Sequence, residues 1–223
     1  MLSTIGFTDH RQHDVHEVLL VFLNTLWNST SYQFEITEQL QCPNVTCSRF
    51  PTSRTHRNTC LHLPVNDQHS TLQQILFQYF SRSTGDNNYN CPRCHSTVQS
   101  THHHVLTTLP KYFFFVLKRY HFHVQPDGSH SIQKVTTNID IPVRLTMSQF
   151  IHYDHEHPHY KLMSVIHHHG ENPNVGHYTC TAYEPDNGNW YHFNDQSTPL
   201  KLTTFNSTTD DYMLCYQQTE HEP

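Results

Sequence analysis

The segment 175–195 reads VGHYTCTAYEPDNGNWYHFND, with two alternating runs on either side of a Pro-Asp-Asn-Gly turn signal. This pattern predicts a β-hairpin. Antiparallel strands bring residues equidistant from the turn face to face, so His177 can meet Asn194 or Asp195. A histidine oriented by an amide or a carboxylate is two-thirds of a catalytic triad. The segment therefore predicts a general base and its orienting partner, and leaves Asn194 and Asp195 as alternatives.

Composition limits the classes of partner. The formal net charge is −6, and the few Lys and Arg residues form no run, so we expect no nucleic-acid partner. No apolar run approaches the ~18 residues of a membrane span, and the first residues do not form a signal peptide, so we expect no membrane partner. These features indicate the cytoplasm or the nucleus. The seven cysteines would be reduced there, which favours metal binding or catalysis over disulfides.

Two helices are predicted. Apolar spacing places the first at about residues 9–27, with Asp9 and Gln12 as a capping box. The second is predicted at residues 70–80, with Ser70 as its N-cap.

The remaining chain favours strands. Residues 32–65 contain short alternating runs typical of antiparallel strands, and residues 111–120 form a dense apolar run that indicates a central core strand. A strand over residues 160–166 ends in three consecutive histidines, which alternation would place on opposite faces. With strands outnumbering helices and no long linker, the sequence predicts one compact α+β unit.

Two cysteine pairs have the spacing of metal ligands. Cys42 and Cys47 form a C-x4-C pair, Cys91 and Cys94 form a C-x2-C pair, and each pair lies where a strand would turn. Four thiolates from two such turns can close a tetrahedral zinc site. The sequence therefore predicts zinc, with four free thiols in a metal-free unit as the alternative.

Six stretches occur in an order that resembles one family. They are residues 12–19, the two cysteine pairs, residues 109–120, residues 176–178, residues 190–195 and residues 212–214. Together they resemble the ubiquitin-specific proteases, which are papain-like cysteine deubiquitinases with a thumb, palm and fingers. The resemblance covers nearly the whole chain. It implies a single domain over residues 1–223, with a thumb remnant at 1–31, zinc-bearing fingers at 32–105 and a palm at 106–223.

The resemblance also implies roles for individual residues in the site. His177 would be the general base that takes the thiol proton. Asn194 holds the position that orients the imidazole in this family, and Asp195 is a second candidate for the same role.

Substrate contacts follow from the same resemblance. The expected partners are ubiquitin and ubiquitinated proteins. Asp14 and Glu17 lie three residues apart, so they would share one helix face and pair with arginines of the extended ubiquitin tail. From the residues alone, the two carboxylates would simply favour the first helical turn and stay in water. Gly176 would leave room for the tail, and Tyr178 completes the histidine motif as a substrate-binding residue.

The family's nucleophile, a cysteine in an Asn-Thr-Cys motif before the thumb helix, is not found in residues 1–11. Asn58-Thr59-Cys60 spells the tripeptide, but Cys60 continues into a strand, whereas a helix start is needed to activate the thiol. Cys180 and Cys215 also lie within strand patterns and read as small buried apolar residues. We expect a piece of a longer deubiquitinase; a non-catalytic ubiquitin-binding module and a zinc-stabilised scaffold are the alternatives.

Overall fold

One mixed sheet of eight strands, here called the large sheet, carries the predicted hairpin. The computed structural model describes residues 13–26, 30–48, 51–85, 88–125, 127–151, 158–172 and 175–219. In spatial order the sheet contains β15 (Leu200–Leu202), β14 (Asn189–Phe193), β13 (Val175–Glu184), β12 (His159–Asn172), β16 (Asp211–Thr219), β8 (Tyr112–Lys118) and β3 (Cys60–Pro64). The eighth strand, β11 (Arg144–Thr146), also pairs with β12. The predicted hairpin is therefore β13 and β14, antiparallel and in contact with the rest of the sheet through β12.

The main hydrophobic core lies between one face of the large sheet and helix α2 (Leu72–Phe80). Alternate side chains of β8 point into this core, and Phe113, Phe115 and Leu117 are fully buried. Helix α2 contributes Leu72, Ile75, Leu76 and Phe80 at the i, i+3, i+4 spacing of an amphipathic helix. Burying each large apolar side chain contributes about 1.5–3 kcal/mol, so this contact holds α2 against the sheet.

Helix α1 (Val15–Leu26) packs on the second hydrophobic cluster of the large sheet. Its apolar residues Val15, Leu19 and Leu20 contact a cluster built from β3, β8 and β16. Among the described residues, neither helix is both long and apolar enough to cross a membrane.

A smaller four-stranded sheet, here called the small sheet, contributes Phe34, Ile36 and Leu106 to the main core. Its order is β2 (Thr52–Asn58), β1 (Phe34–Gln41), β7 (Thr101–Thr108) and β4 (Ser83–Thr84). Two short hairpins complete the described strands: β5 (Tyr89–Asn90) with β6 (Thr97–Val98), and β9 (Tyr120–Val124) with β10 (His130–Lys134). Strand β2 is exposed almost throughout and forms the edge of the small sheet.

The ends of both helices differ from the sequence prediction. The described part of α1 starts at Val15, and Asp14 caps it by accepting a hydrogen bond from the His16 backbone N–H at 2.8 Å. The predicted capping residues of the first helix, Asp9 and Gln12, lie outside the described residues. For α2 the prediction of Ser70 was wrong by one residue, because Thr71 forms the capping box with Gln74.

Strand pairing also differs from the prediction at three places. Strand β3 pairs with β8 in parallel, because α2 and four strands, two of the small sheet and two of the β5–β6 hairpin, lie between them in the chain and return it in the same direction. Strand β8 lies next to the edge strand rather than at the centre of the large sheet. The strand predicted at 160–166 runs on through the three histidines to Asn172, because β13 and β16 pair with it over this stretch.

Candidate active site

The hairpin of β13 and β14 brings His177 and Asn194 together. Their pairing register sets Cys180 opposite Phe193, which places the start of β13 beside the end of β14. His177 Nε2 lies 2.7 Å from Asn194 Oδ1. Residues 17 positions apart in sequence thus make a short hydrogen bond at the rim of the large sheet.

This hydrogen bond fixes the tautomer of His177. An amide oxygen can only accept a hydrogen bond, so Nε2 carries the hydrogen and donates it to Asn194. In the neutral ring the lone pair then belongs to Nδ1. The His177 side chain is 45% exposed. The pair has the arrangement of a general base and its orienting amide.

Asp195 is placed differently from Asn194. Its Oδ2 lies 3.9 Å from His177 Nε2, and its side chain is 75% exposed. The Asp195 backbone takes a left-handed conformation with φ of 47°, which turns the chain away from β14. By distance, Asn194 orients His177, and Asp195 contributes a screened charge beside it.

The Asp14 carboxylate is already engaged within the chain. One oxygen caps α1, and the other accepts a 2.6 Å hydrogen bond from the Tyr212 hydroxyl. Burial, followed by this bond to Asp14, raises the pKa of Tyr212 well above its usual value. Asp14 therefore fastens the start of α1 to β16, and Glu17, which is exposed, is the more accessible of the two carboxylates predicted to meet a substrate.

Gly176 and Tyr178 enclose His168 on the face of the sheet that α1 covers. A Cβ on Gly176 would overlap the His168 ring, so the close packing of that ring requires glycine at this position. The Tyr178 ring stacks on His168 with centroids 4.6 Å apart, and burial raises the pKa of Tyr178 to about 12. Packing against His168 therefore explains why glycine stands at 176 and tyrosine at 178. The substrate contact of both residues is implied only by the resemblance.

The structure adds His168 and His169 to the surroundings of His177. The Tyr120 hydroxyl donates to the Gly170 carbonyl at 2.9 Å and lies 2.6 Å from His168 Nδ1. His169 lies on the opposite face of β12, directly across from His177. In the sequence, His168 and His169 belong to the run of three histidines in β12. Because side chains alternate along a strand, these two residues lie on opposite faces of the sheet.

The four predicted metal ligands form one cluster. The Sγ atoms of Cys42, Cys47, Cys91 and Cys94 all lie within 4.8 Å of one another, and Cys42 and Cys94 are 3.9 Å apart. A tetrahedral zinc site with Zn–S bonds of about 2.3 Å has S–S edges of about 3.8 Å, so the cluster has the size of such a site. The backbone N–H groups of Cys94 and Arg93 lower the pKa of Cys91 to about 7, whereas burial raises the pKa of Cys47. A backbone hydrogen bond at Asn44 lowers the pKa of Cys42, but burial and the neighbouring thiols outweigh it and raise that pKa to about 11. The donor set fits a tetrahedral metal ion.

The other three cysteines are poor nucleophiles. Burial raises the pKa of Cys60 and of Cys215 to about 12, and of Cys180 to about 11. Cys60 is the first residue of β3 and is buried, so the Asn-Thr-Cys sequence at this point does not open a helix. Among the described contacts, His177 forms no hydrogen bond to any cysteine.

Comparisons with known proteins were made on the whole chain. The family model for ubiquitin carboxyl-terminal hydrolase (UCH) matches residues 2–216. The probable ubiquitin carboxyl-terminal hydrolase R319 of Acanthamoeba polyphaga mimivirus is 32% identical over 181 residues, which are 78% of this chain and 38% of that protein. Ubiquitin carboxyl-terminal hydrolase 48 of Danio rerio is 28% identical over 209 residues, which are 88% of this chain and 20% of that protein.

Solved structures agree on the fold. The structure described as the SAGA Ubp8/Sgf11/Sus1/Sgf73 DUB module bound to ubiquitin aldehyde gives a TM-score of 0.79 at 21% identity. The match covers 95% of this chain and 50% of the matched chain. The predicted α+β fold of the ubiquitin-specific protease type is thereby confirmed. The chain spans about half the matched chain in that structure and 38% or 20% of the two curated relatives.

The high pKa of Cys60 makes a testable difference to its reactivity. At about pH 8, a thiol with a pKa near 12 is ionised in about one molecule in ten thousand, against about a quarter for an ordinary thiol. We expect iodoacetamide to alkylate Cys60 in the folded chain at least about a hundredfold more slowly than in the unfolded chain, as measured by peptide mass spectrometry. Alkylation of Cys60 at the same rate in both states would contradict the raised pKa, and faster alkylation in the folded chain would restore Cys60 as a candidate nucleophile.

Proposed function

The chain belongs to the ubiquitin carboxyl-terminal hydrolase family, and from this premise we propose that it is the base-carrying part of a deubiquitinating cysteine protease. The observation that carries the proposal is the 2.7 Å hydrogen bond between His177 and Asn194. It leaves the His177 imidazole with a defined tautomer and an accessible second nitrogen. Ubiquitinated proteins of the cytoplasm or nucleus are the proposed substrates.

The proposed nucleophile is a cysteine from chain outside these 223 residues. The seven cysteines within the sequence fall into the metal-ligand cluster and three thiols with raised pKa values. Among the described contacts, neither group forms a hydrogen bond to His177. A thiol brought to the exposed face of His177 would complete the triad with Asn194.

The chemistry assigned to His177 follows from its tautomer. Nδ1 takes the thiol proton, and the thiolate attacks the carbonyl carbon of the last glycine of ubiquitin. The protonated imidazole then returns its proton to the leaving amine as the C–N bond breaks, which leaves a thioester. Water, deprotonated by His177, hydrolyses the thioester and restores the thiol. Asn194 holds the ring throughout, since its oxygen accepts from Nε2–H in both charge states.

Substrate contact is proposed for the rim of the sheet beside His177. Glu17 is exposed on the first turn of α1 and is able to pair with an arginine of the ubiquitin tail. Asp14 acts on the same turn through its bonds to His16 and Tyr212. We assign Glu17 to binding and Asp14 to holding the helix in place.

We propose zinc as the metal of the cysteine cluster. Bound zinc would tie the turn after β1 to the β5–β6 hairpin. Strands β5 and β6 have two residues each, too few for an isolated hairpin to be stable. Cys91 and Cys94 on that hairpin, with Cys42 and Cys47 on the other turn, would hold it in position.

Activity is tested with a chain extended at its N-terminus to carry an in-frame Gly-Asn-Thr-Cys motif. We expect this chain to release a fluorophore from the C-terminus of ubiquitin, and the 223-residue chain not to do so. In the extended chain, His177→Ala should lower kcat/KM by roughly 10⁴–10⁶-fold, because the thiol loses its base. Asp195→Asn, at 3.9 Å from the ring, is the matched control and should retain most of the activity.

Two results would contradict the catalytic proposal. One is the absence of hydrolysis by an extended chain that folds and binds ubiquitin, which would identify a non-catalytic ubiquitin-binding module. The other is an active His177→Ala variant, which would place the base elsewhere.

Zinc is tested by metal analysis of the purified chain. We expect about one zinc ion per chain, and its loss in Cys91→Ser, because three thiolates hold the metal far less tightly than four. Cys215→Ser removes a thiol outside the cluster and should keep the zinc. Equal zinc content in Cys91→Ser and the unaltered chain would contradict the assignment.

A further inference from the structure

A cleft of about 290 Å³ lies on the face of the large sheet opposite α1. Its floor is formed by β12, β13 and β14, and its walls by β15 and the segment that leads to β16. The apolar part of the lining is Leu200, Leu202 and Phe205. Leu200 is 61% exposed, although it is a large apolar residue. A molecule that enters the cleft therefore removes apolar surface from water, which favours binding.

His192 lies on the floor of this cleft, between Thr181 of β13 and Leu200 of β15 in the strand registers. Its Nδ1 lies 3.0 Å from the Thr181 hydroxyl oxygen. Its other nitrogen, Nε2, has no hydrogen-bond partner among the described residues. Burial, followed by the positive charges of His167 and His169, lowers the pKa of His192, so the ring is neutral near pH 7. His192 thus presents one unpaired nitrogen to the cleft.

A chain of hydrogen bonds through Thr181 sets the state of that nitrogen. Buried Asp211 accepts from Thr208 at both carboxylate oxygens, and its Oδ1 also accepts from His167 Nδ1 at 2.8 Å. His167 Nε2 lies 2.9 Å from the Thr181 hydroxyl oxygen. This hydroxyl has one hydrogen and two imidazole neighbours, so it donates to one and accepts from the other. When it donates to His167, Nε2 of His192 is an acceptor; when it donates to His192, that Nε2 is a donor.

The lining selects a neutral ligand that carries a hydroxyl. A hydroxyl matches Nε2 of His192 in both arrangements, because it both donates and accepts. Asp210 also lines the cleft, but its carboxylate is already paired with the Lys134 ammonium at 2.6 Å and with His169 Nδ1 at 2.9 Å. A charged ligand would lack a partner next to apolar walls, which is costly. Within the described part of the chain, only the four cysteines bring three or more ligand atoms within reach of one metal ion.

The size and shape of the cleft define the rest of the ligand. Pockets for drug-sized molecules have volumes of about 300–1,000 Å³, so a cleft of about 290 Å³ holds a smaller molecule, with about one ring. The rings of His192 and Phe205 provide flat surfaces in the lining, and aromatic rings pair through offset stacking or edge-to-face contact. A single aromatic ring with one hydroxyl group therefore fits both the shape and the hydrogen bonding of the cleft.

We propose that this cleft binds a small neutral phenol, with its ring against Leu200, Leu202 and Phe205 and its hydroxyl hydrogen-bonded to Nε2 of His192. Such a ring comes either from a free molecule or from a tyrosine side chain, and the recognition chemistry is the same for both. The cleft lies next to the candidate active site, because His192 precedes Asn194 by two residues on the same face of β14. The proposal concerns binding alone and does not depend on the proposed role of His177.

The test is a titration of the 223-residue chain with p-cresol, followed by imidazole nitrogen NMR. We expect a dissociation constant on the order of 1 mM and a shift of the His192 Nε2 resonance. Toluene has the same ring and methyl group without the hydroxyl. It should bind roughly tenfold more weakly, because it covers Nε2 without providing a hydrogen bond. His192→Phe keeps a ring and removes the nitrogen, so its affinities for p-cresol and toluene should be similar.

The position of the ligand is tested at the apolar wall. Leu200→Ser removes apolar contact area at an exposed position and should weaken p-cresol binding by roughly fivefold. Val124→Ser is the matched control, because Val124 is a 71% exposed apolar residue on the β9–β10 hairpin, outside the cleft. It should leave the affinity unchanged.

Three results would overturn the proposal: no saturable binding of p-cresol, equal affinities of the unaltered chain for p-cresol and toluene, or unchanged p-cresol binding in Leu200→Ser. If His192→Phe fails to fold, the comparison with toluene and the Leu200→Ser variant still decide. N-acetyltyrosinamide separates the two sources: its binding supports a tyrosine side chain, and its exclusion while p-cresol binds supports a free phenol. Absence of hydrolysis in the extended chain would contradict the proposed function and would leave these affinities unaffected.

Discussion

The pairing of β12 with both of its neighbours is the constraint on which the site depends. The strand His159–Asn172 is paired with β16 on one side and with β13 on the other. Side chains alternate along it, so His168 enters the face covered by α1, and His167 and His169 enter the opposite face. A slip of one residue would exchange these faces, which would place His169 against Tyr178. The register shift between Leu162 and Ser164 changes which positions face the main core, since Tyr160 and Leu162 lie in it before the shift and Val165 lies in it after the shift.

The two faces of β12 carry different groups of contacts. On the face of α1, Tyr212 connects β16 to Asp14, and His168 packs between Tyr120 and Tyr178. These contacts hold α1 against the sheet and explain why glycine precedes His177. On the other face, polar side chains form a continuous group that reaches from the buried Asp211 to the half-exposed His177. The His177–Asn194 pair thus lies at the exposed end of this polar group.

The sequence predicted those elements that depend on residues close together in the chain. The hairpin at 175–195 was predictable from its turn residues and alternation, and the cysteine cluster from two short spacings. The sequence could not distinguish Ser70 from Thr71 as the N-cap of α2, because both residue types are good caps. Only the direction in which the chain enters the helix decides between them. The choice between Asn194 and Asp195 depended on a backbone turn at Asp195 that follows no local rule. The partners of His169 could not be predicted, because Lys134 and Asp210 are distant in sequence and meet it only through the large sheet.

The central claim is that this chain holds a general base and its orienting amide already assembled, before any nucleophile is present. Imidazole nitrogen NMR of the unaltered chain near neutral pH measures this directly, because it reports which ring nitrogen of His177 carries the hydrogen. We expect the Nε2–H tautomer, a mixture with Nδ1–H in Asn194→Ala, and no change in Asp195→Ala. A mixture of tautomers in the unaltered chain, or a change in Asp195→Ala without one in Asn194→Ala, would contradict the account.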